Sequence, residues 1–541
     1  MMNGNAVSRR GFLQGTALAA AGVAAAGLMG CSSADGKAKE DFLPESWDQE
    51  ADIIIVGFGG AGIAAAITAA DEGLGDALVL EAAPEGEEGG NTRVSQQAVF
   101  TTDDPKALAA YQKNLNDPYI VPDDRLLSWA EALAENPQWL IDQGADMVKH
   151  DSTSEYPDIE GHEAGYVVVA SEGIGNENLW KPLRARFDEL GCKALWDTRV
   201  TNLIFDPATK EVRGVKAVDG RTFKARKGVL IACGGFEKDE KLLDTYYPVG
   251  SKGFWQYGTP HNFGDGIRMC QEIGASLWHM NNYAVGSIAS IATPGTSIAA
   301  PVSFAAKDYI FVGPNAKRWL YEETQAFQKH GKYNYNGNYV QVHEPFPAWA
   351  ILGSKCFEAG PVFKKGTYGW ASIFETFLES NQAYVDAGMW EKADSAEELA
   401  KKIGVDPNAL AETIATYNGY CANGKDEEFG RGEAAQANWT LATGGSAGIK
   451  PFDLEALEPP FYAIPIRRGG ANSQGGPERG VNFEVLSTDG APIPRLYAGG
   501  ECGAIYPYKY EGGGNVSEAI ATGRVAARQI GALSSWEEQS E

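Results

Sequence analysis

Cysteine is sparse and scattered: seven residues, at positions 31, 192, 233, 270, 356, 421 and 502, with no CxxC or CxxCH among them. That spacing excludes a local zinc site, a c-type haem attachment and a ferredoxin-type cluster, so no metal is expected and most of the thiols read as buried packing groups. Positive charge is short as well. Against 72 acidic residues stand 46 basic ones, a formal net charge of -26, with no basic run and no aromatic–basic interleaving. A surface of that sign repels phosphate backbones and argues against nucleic acid as a partner. Beyond Gly30 no stretch is apolar enough to cross a bilayer, and no internal repeat is visible.

What is present begins with a targeting pattern. Ser8-Arg9-Arg10-Gly11-Phe12-Leu13 is a twin-arginine motif, and a short Ala/Gly-rich apolar stretch from Thr16 to Gly30 follows it. Leu28-Met29-Gly30-Cys31 is similar to a lipobox, with Met29 unusual there, so lipidation of Cys31 and simple cleavage nearby are the alternatives. The chain is therefore expected to be exported by the twin-arginine route and to be extracytoplasmic, tied to a membrane only through Cys31. Residues 32–50 read as a polar tether, with ordered protein starting near Ala51. At 541 residues the chain exceeds the usual size of a single core, so more than one domain is expected.

The strongest local signal follows the tether. Asp52–Val56 is a β-branched run of the kind a buried parallel strand needs. It leads into Gly57-Phe58-Gly59-Gly60-Ala61-Gly62 and the small-residue helix Ile63–Glu72. Gly57 suits a tight turn, Gly59 a close approach of backbone N–H groups to a pyrophosphate, and Gly62 close helix–strand packing. The strand Ala77–Leu80 then ends at Glu81, placed to accept hydrogen bonds from ribose hydroxyls. A lone GxGxxG is weak evidence; strand, loop, helix, strand and Glu81 together specify nucleotide binding. Short β segments follow at Thr201–Phe205, Val212–Val218, Thr222–Ala225 and Gly228–Ala232. Residues from about Ser276 are rich in Trp, Tyr, Gly and Pro and end in helical stretches, Ser395–Lys402 and Pro407–Cys421. The chain closes with a helix over Asn515–Ile530.

Further motifs occur in order: Gly89-Gly90-Asn91-Thr92-Arg93-Val94-Ser95, Val229–Phe236 with Gly234-Gly235, Gly264-Asp265-Gly266, Lys317-Arg318-Trp319 with Glu322, Pro494–Glu501, and Gly512-Gly513-Gly514-Asn515. Together they resemble the flavoprotein family of soluble fumarate reductases and 3-ketosteroid Δ1-dehydrogenases, over about residues 51–530. The resemblance implies an α/β fold: a Rossmann-type FAD-binding domain, doubly wound and mostly parallel with a β meander, interrupted by an inserted α+β cap. The flavin domain would comprise residues 51–275 and 459–541, and the cap 276–458. It also implies FAD, held at the pyrophosphate by Gly57, Gly59, Ala61 and Gly62 and at the ribose by Glu81. Asn91, Thr92 and Ser95 would approach the phosphates or isoalloxazine, and Gly234, Gly235 and Asp265 would complete the wrap. Glu501 would bind the ribityl chain. Gly514, Asn515 and Val516 would meet the flavin at a helix N-terminus, whose dipole favours negative charge. One departure is Gln96-Gln97, where relatives commonly carry glycines.

For the substrate, the resemblance cuts against fumarate. The positions matching that branch's acid arginine, clamping histidine and second arginine fall at or near Ala305, Asn472 and Glu511, none of them basic. What stands nearby is aromatic. Tyr506-Pro507-Tyr508-Lys509-Tyr510 precedes the glycine turn, about where ketosteroid dehydrogenases place a ketone-polarising tyrosine, so Tyr508 and Tyr510 are both candidates. Tyr309, Lys307, Trp255, Tyr257 and Trp278 are candidate pocket walls. Arg468, with Arg467, is a candidate anchor or proton donor, and His261 and His279 are candidate acids. The expected activity is reduction or dehydrogenation of a C=C or CH–CH bond beside an activating group in a neutral, aromatic or steroid-like molecule. Electrons would be exchanged with a separate cytochrome or quinone-linked partner. The alternatives are a respiratory reductase of fumarate-, urocanate- or acrylate-like carboxylates, and a lipid-anchored flavin electron-transfer module.

Overall fold

The computed structural model describes residues 42–541 except 151–153, 249, 321, 323–329, 331, 336–337, 342–344, 366–367, 376, 432–453 and 539–541. The leader and Cys31 lie outside these residues.

The strand Gln49–Val56 buries Ile53, Ile54 and Ile55 completely, on both faces, as a central parallel strand must. It pairs in parallel with Ala77–Leu80 on one side and Thr222–Ile231 on the other. Lys193–Leu195 extends the sheet beyond the former and Pro492–Ala498 beyond the latter, again in parallel. Val200–Phe205 and Val212–Ala217 join Thr222–Ile231 as an antiparallel meander. The Rossmann-type α/β fold read from the motifs is thus the observed one. The two strands expected at 222–225 and 228–232 are a single strand, because a register shift opposite Ala51 and Ile53 lets it bend without breaking.

Helices Gly60–Asp71 and Gly514–Gly531 cross at very short range. A Cβ on Gly523 would lie 2.1 Å from the Ala61 carbonyl oxygen, so only glycine permits the approach. Ile63, Ala64 and Ile67 of the first helix share one core with Ala519, Ile520 and Ala527 of the second. This contact brings the last segment of the chain beside the first glycine-rich loop.

A second sheet covers the site. Its central strand, Phe461–Ser473, pairs antiparallel with Tyr283–Ile291, Ala348–Leu352 and Glu391–Ala393, and in parallel with Phe254–Gln256. Phe461–Ser473, beyond residue 458, is thus a member of this second sheet. The reason lies in alternation along the strand: Tyr462, Ile464 and Ile466 pack with Ala350 and Leu352, while Phe461 and Ala463 pack with Leu399 and Ile414. Helices Ala396–Ile403 and Pro407–Asn423 close the outer side, each opened by a side-chain cap, Ser395 and Asp406. Inside the cap, buried Arg318 holds Glu322 at 2.6 Å and Asp426 at 2.8 Å, and Arg431 reaches Glu322 at 3.3 Å. That network accounts for the Arg318/Glu322 motif as cap architecture. No helix among the described residues is long and apolar enough to cross a membrane.

Candidate cofactor and substrate site

The first glycine loop is shaped by exclusion. A Cβ on Gly57, whose φ is +104°, would lie 2.5 Å from the Ala232 carbonyl, and one on Gly62 would lie 2.0 Å from the Gly57 carbonyl. At Gly59 the nearest atom to such a carbon is 3.9 Å away. Gly57 and Gly62 are thus required by the protein itself, whereas Gly59 faces open space in the cavity, where a ligand would approach. Glu81 lines the same cavity. Its carboxylate accepts the N–H of Phe58 at 2.5 Å and of Ala83 at 2.8 Å, and burial raises its pKa. Arg199 lies at this end, beside Thr198, whose N–H reaches the Glu81 carbonyl.

The next ring of residues comes from four distant segments. Glu501 accepts from Asn91 Nδ2 at 2.9 Å and from Asn262 Nδ2 at 2.8 Å, while Asn91 Oδ1 accepts the Thr259 N–H at 2.8 Å. Burial, reinforced by the charge of Glu237, drives the Glu501 carboxyl far above its usual range. Thr92 accepts the Gly60 N–H at 3.1 Å, fixing the second loop to the first. Gln97, one of the expected departures from glycine, adopts φ +58°. Its side chain offsets the strain by accepting from Leu179 and Trp180 N–H at 2.6 and 2.9 Å and donating to the Arg93 carbonyl at 2.8 Å.

At the far end, Asn515, Val516 and Tyr510 line the cavity beside the start of the last helix. The Tyr510 hydroxyl oxygen accepts the Asn515 N–H at 3.3 Å, which leaves its own proton to donate. Burial raises its pKa, so the phenol is neutral at physiological pH. Tyr257, Tyr368, Asn472, Glu155 and His330 line the same cavity. His330 Nε2 lies 2.6 Å from Glu155 Oε2, and its ring packs edge-on against Tyr510 at 4.6 Å. Behind them Glu511 is fully buried, held by Tyr111 at 2.6 Å, Ser154 at 2.8 Å and the Glu155 N–H at 2.5 Å. Burial and then the Glu155 charge raise its carboxyl to about 8.

Of the residues expected at the site, Gly57, Gly59, Ala61, Glu81, Asn91, Thr92, Ser95, Gly234, Asp265, Glu501, Asn515, Val516 and Tyr510 converge on this cavity. Gly62, Gly235 and Gly514 stand just behind its wall as close-packing glycines. Asp265 is bound by Arg199 through contacts of 2.6 and 2.8 Å, a geometry that makes it a partner of that arginine first. Tyr508 does not reach the cavity; it stacks on Tyr119 at 5.5 Å. Tyr309 packs between Phe304 and Phe311 in the cap core, with the Arg431 guanidinium 4.8 Å above its ring. Arg468 is 1% exposed on the cap's central strand and off the cavity wall, and Arg467 lies between Trp255 and Phe346. His279 is tied to the Ala504 carbonyl at 2.7 Å, with burial depressing its pKa to about 4. His261 does line the cavity, 3.4 Å from Glu87. Glu155, His330 and Tyr368 carry no sequence motif and went unrecognised.

These residues fit FAD. Asn515 Oδ1 is buried and has no hydrogen-bond partner at the start of the last helix, and the Gly59 backbone lies open. The same cavity is lined by the Glu81 carboxylate and by Asn515 with that orphaned amide oxygen. Its donors come from both ends of the chain. The fold and cavity define a flavin-dependent oxidoreductase. The sequence profile of the FAD-binding family FAD_binding_2 matches residues 52–516, and the chain belongs to that family. It is 26% identical to digoxin reductase of Eggerthella lenta over 98% of both chains. The fold matches 3-ketosteroid Δ1-dehydrogenase of Sterolibacterium denitrificans in complex with 1,4-androstadiene-3,17-dione, with a TM-score of 0.70 and 22% identity over 90% of this chain and 100% of that one. A flavocytochrome c3 fumarate reductase in its open conformation matches with a TM-score of 0.63 and 21% identity over 93% of this chain and 84% of that one. The protein is an FAD-dependent oxidoreductase of the class acting on CH–CH bonds.

Proposed function

We propose that the protein reduces or forms a carbon–carbon double bond conjugated to a neutral carbonyl, in an aromatic or steroid-like substrate. Bound FAD supplies two-electron hydride chemistry. The residues that would hold it are Gly57, Gly59, Glu81, Asn91, Glu501 and Asn515. Tyr510 polarises the substrate carbonyl by donating its hydroxyl proton in a hydrogen bond, without adding charge to the site. The cap strands, with Tyr257 and Tyr368, exclude water from the reacting atoms.

One observation carries this reading. Among the described residues lining the cavity, the only arginine or lysine is Arg199, which is ion-paired with Asp265 at the opposite end from Tyr510. A dicarboxylate would lose its hydration there without a cationic clamp in return. The digoxin reductase and ketosteroid dehydrogenase relatives support a ring-bearing substrate. The twin-arginine motif supports export and electron exchange with a separate membrane or haem partner, because NAD(P)H is scarce outside the cytoplasm. Attachment through Cys31 belongs to the same reading.

The test is anaerobic reoxidation of viologen-reduced protein by 1,4-androstadiene-3,17-dione, benzylideneacetone, cinnamate and fumarate. The enones restore the oxidised flavin spectrum and fumarate does not. Faster reoxidation by fumarate or cinnamate than by either enone contradicts the proposal.

A further inference from the structure

The cofactor-site carboxyl of Glu501 has a second buried carboxyl beside it that no motif marks. We propose that Glu237 is the protonated partner of an ionised Glu501 when FAD is bound, so that the pair presents one negative charge to the cofactor. The inference concerns the cofactor site and is independent of the choice of substrate.

Glu237 follows Gly234-Gly235-Phe236 directly and is 3% exposed. Its Oε1 accepts the backbone N–H of Ser473 from the second sheet, while Oε2 is buried with no hydrogen-bond partner. An ionised carboxylate held in that way gives up its hydration for little in return; the protonated acid sheds the charge and keeps the bond to Ser473. Gly235 touches both members of the pair. Its backbone N–H favours the Glu501 carboxylate, and a Cβ on it would lie 2.9 and 3.1 Å from the two Glu237 oxygens. Asn262 is the other link: its Nδ2 donates to Glu501 at 2.8 Å, and the same side chain eases the charge on Glu237.

No cation is among the groups that chiefly set either carboxyl. The other charged or titratable groups facing the pair are Lys238, Tyr283, Cys502 and Arg479. Burial lowers the pKa of Lys238 despite the Glu237 charge, and it raises those of Tyr283 and Cys502, which stay neutral. Arg479 is committed to Glu518 and reaches the Gly500 carbonyl only at 3.4 Å. Two buried carboxyls without a counter-ion resist ionising together. Burial raises Glu237 to about 7, and burial with the Glu237 charge raises Glu501 well above the usual carboxyl range. Above about pH 7 the pair therefore holds one proton and one charge.

The cavity decides which carboxyl keeps the proton. Glu501 lines it and Glu237 stands off its wall. A carboxylate accepts hydrogen bonds from ligand hydroxyls more strongly than a carboxylic acid does, so the charge belongs on Glu501 and the proton on Glu237. A second carboxylate there would also repel the cofactor's phosphates. Glu237 acts through Glu501 and is a positioning residue.

The test is infrared spectroscopy of the FAD-loaded protein at about pH 8, unlabelled and carrying 13C-glutamate, which shifts the C=O band of every protonated glutamic acid. Glu237→Gln loses label-sensitive intensity equal to one carboxyl. Glu237→Asp loses the same intensity and gains a protonated-carboxyl band that the label does not move. A role in packing alone moves neither band. If one variant fails to fold, the other decides. Label-sensitive intensity undiminished from wild type in either folded variant overturns the assignment.

Discussion

The hydroxyl oxygen of Tyr510 accepts the backbone N–H of Asn515 at 3.3 Å, at the start of the final helix. One residue pair thus ties the group proposed to polarise the substrate to the N-terminus expected to face the flavin. Because the oxygen is already acceptor to the backbone, the phenolic proton is directed to whatever occupies the cavity.

The glycines of the first loop should separate by substitution. Gly62→Ala puts a carbon 2.0 Å from the Gly57 carbonyl and should yield little folded protein. Gly59→Ala meets nothing closer than 3.9 Å and should fold with a wild-type melting curve, yet bind FAD about tenfold or more weakly. Thermal melts of the apoprotein and flavin fluorescence titrations distinguish the two.

Glu511 makes stability fall with rising pH. An unfolded glutamate titrates near about 4.3. The folded carboxyl, buried and facing Glu155, keeps its proton up to about 8. Between those values the folded state binds more protons, so this contribution is complete below the unfolded pKa and is lost as pH rises through the folded one. Glu511→Gln, which mimics the protonated acid, should flatten the dependence by up to about 1.4 kcal/mol per pH unit between pH 6 and 8. Urea titrations at pH 6, 7 and 8 measure it; parallel wild-type and variant curves would refute it.

Most of the flavin site was legible because its parts are contiguous: a strand and a glycine loop announce themselves over ten residues, and a glycine turn before a helix does so again near Asn515. The choice between Tyr508 and Tyr510 was not legible. Two residues apart in an irregular segment, they point to different surroundings, and only Tyr510 sits against the helix start while Tyr508 stacks on Tyr119. Glu155 and His330 were invisible for another reason. They are 175 residues apart and meet only through the fold. Tyr309 misled because a short aromatic strand reads alike whether it faces a cavity or a cap core. The pairing of Phe461–Ser473 with the second sheet was not legible, because it looks like any returning strand until its partners are known.

The buried Arg318 cluster should matter for the cap and not for the chemistry. Arg318→Met leaves Glu322 and Asp426 without their shared partner and should destabilise the protein by about 3–5 kcal/mol. Protein that does fold should still bind FAD with wild-type affinity, as read by fluorescence titration. Loss of flavin affinity at unchanged stability would contradict this division of labour.

The central claim is that a neutral tyrosine, rather than a cationic clamp, activates the substrate. It is tested most directly by single-turnover reoxidation of the reduced protein by 1,4-androstadiene-3,17-dione in the Tyr510→Phe and Tyr508→Phe variants. Loss of one such donor should slow Tyr510→Phe by about 100- to 1,000-fold, with FAD content intact, and leave Tyr508→Phe within about threefold of wild type. Equal rates for Tyr510→Phe and wild type would contradict the account.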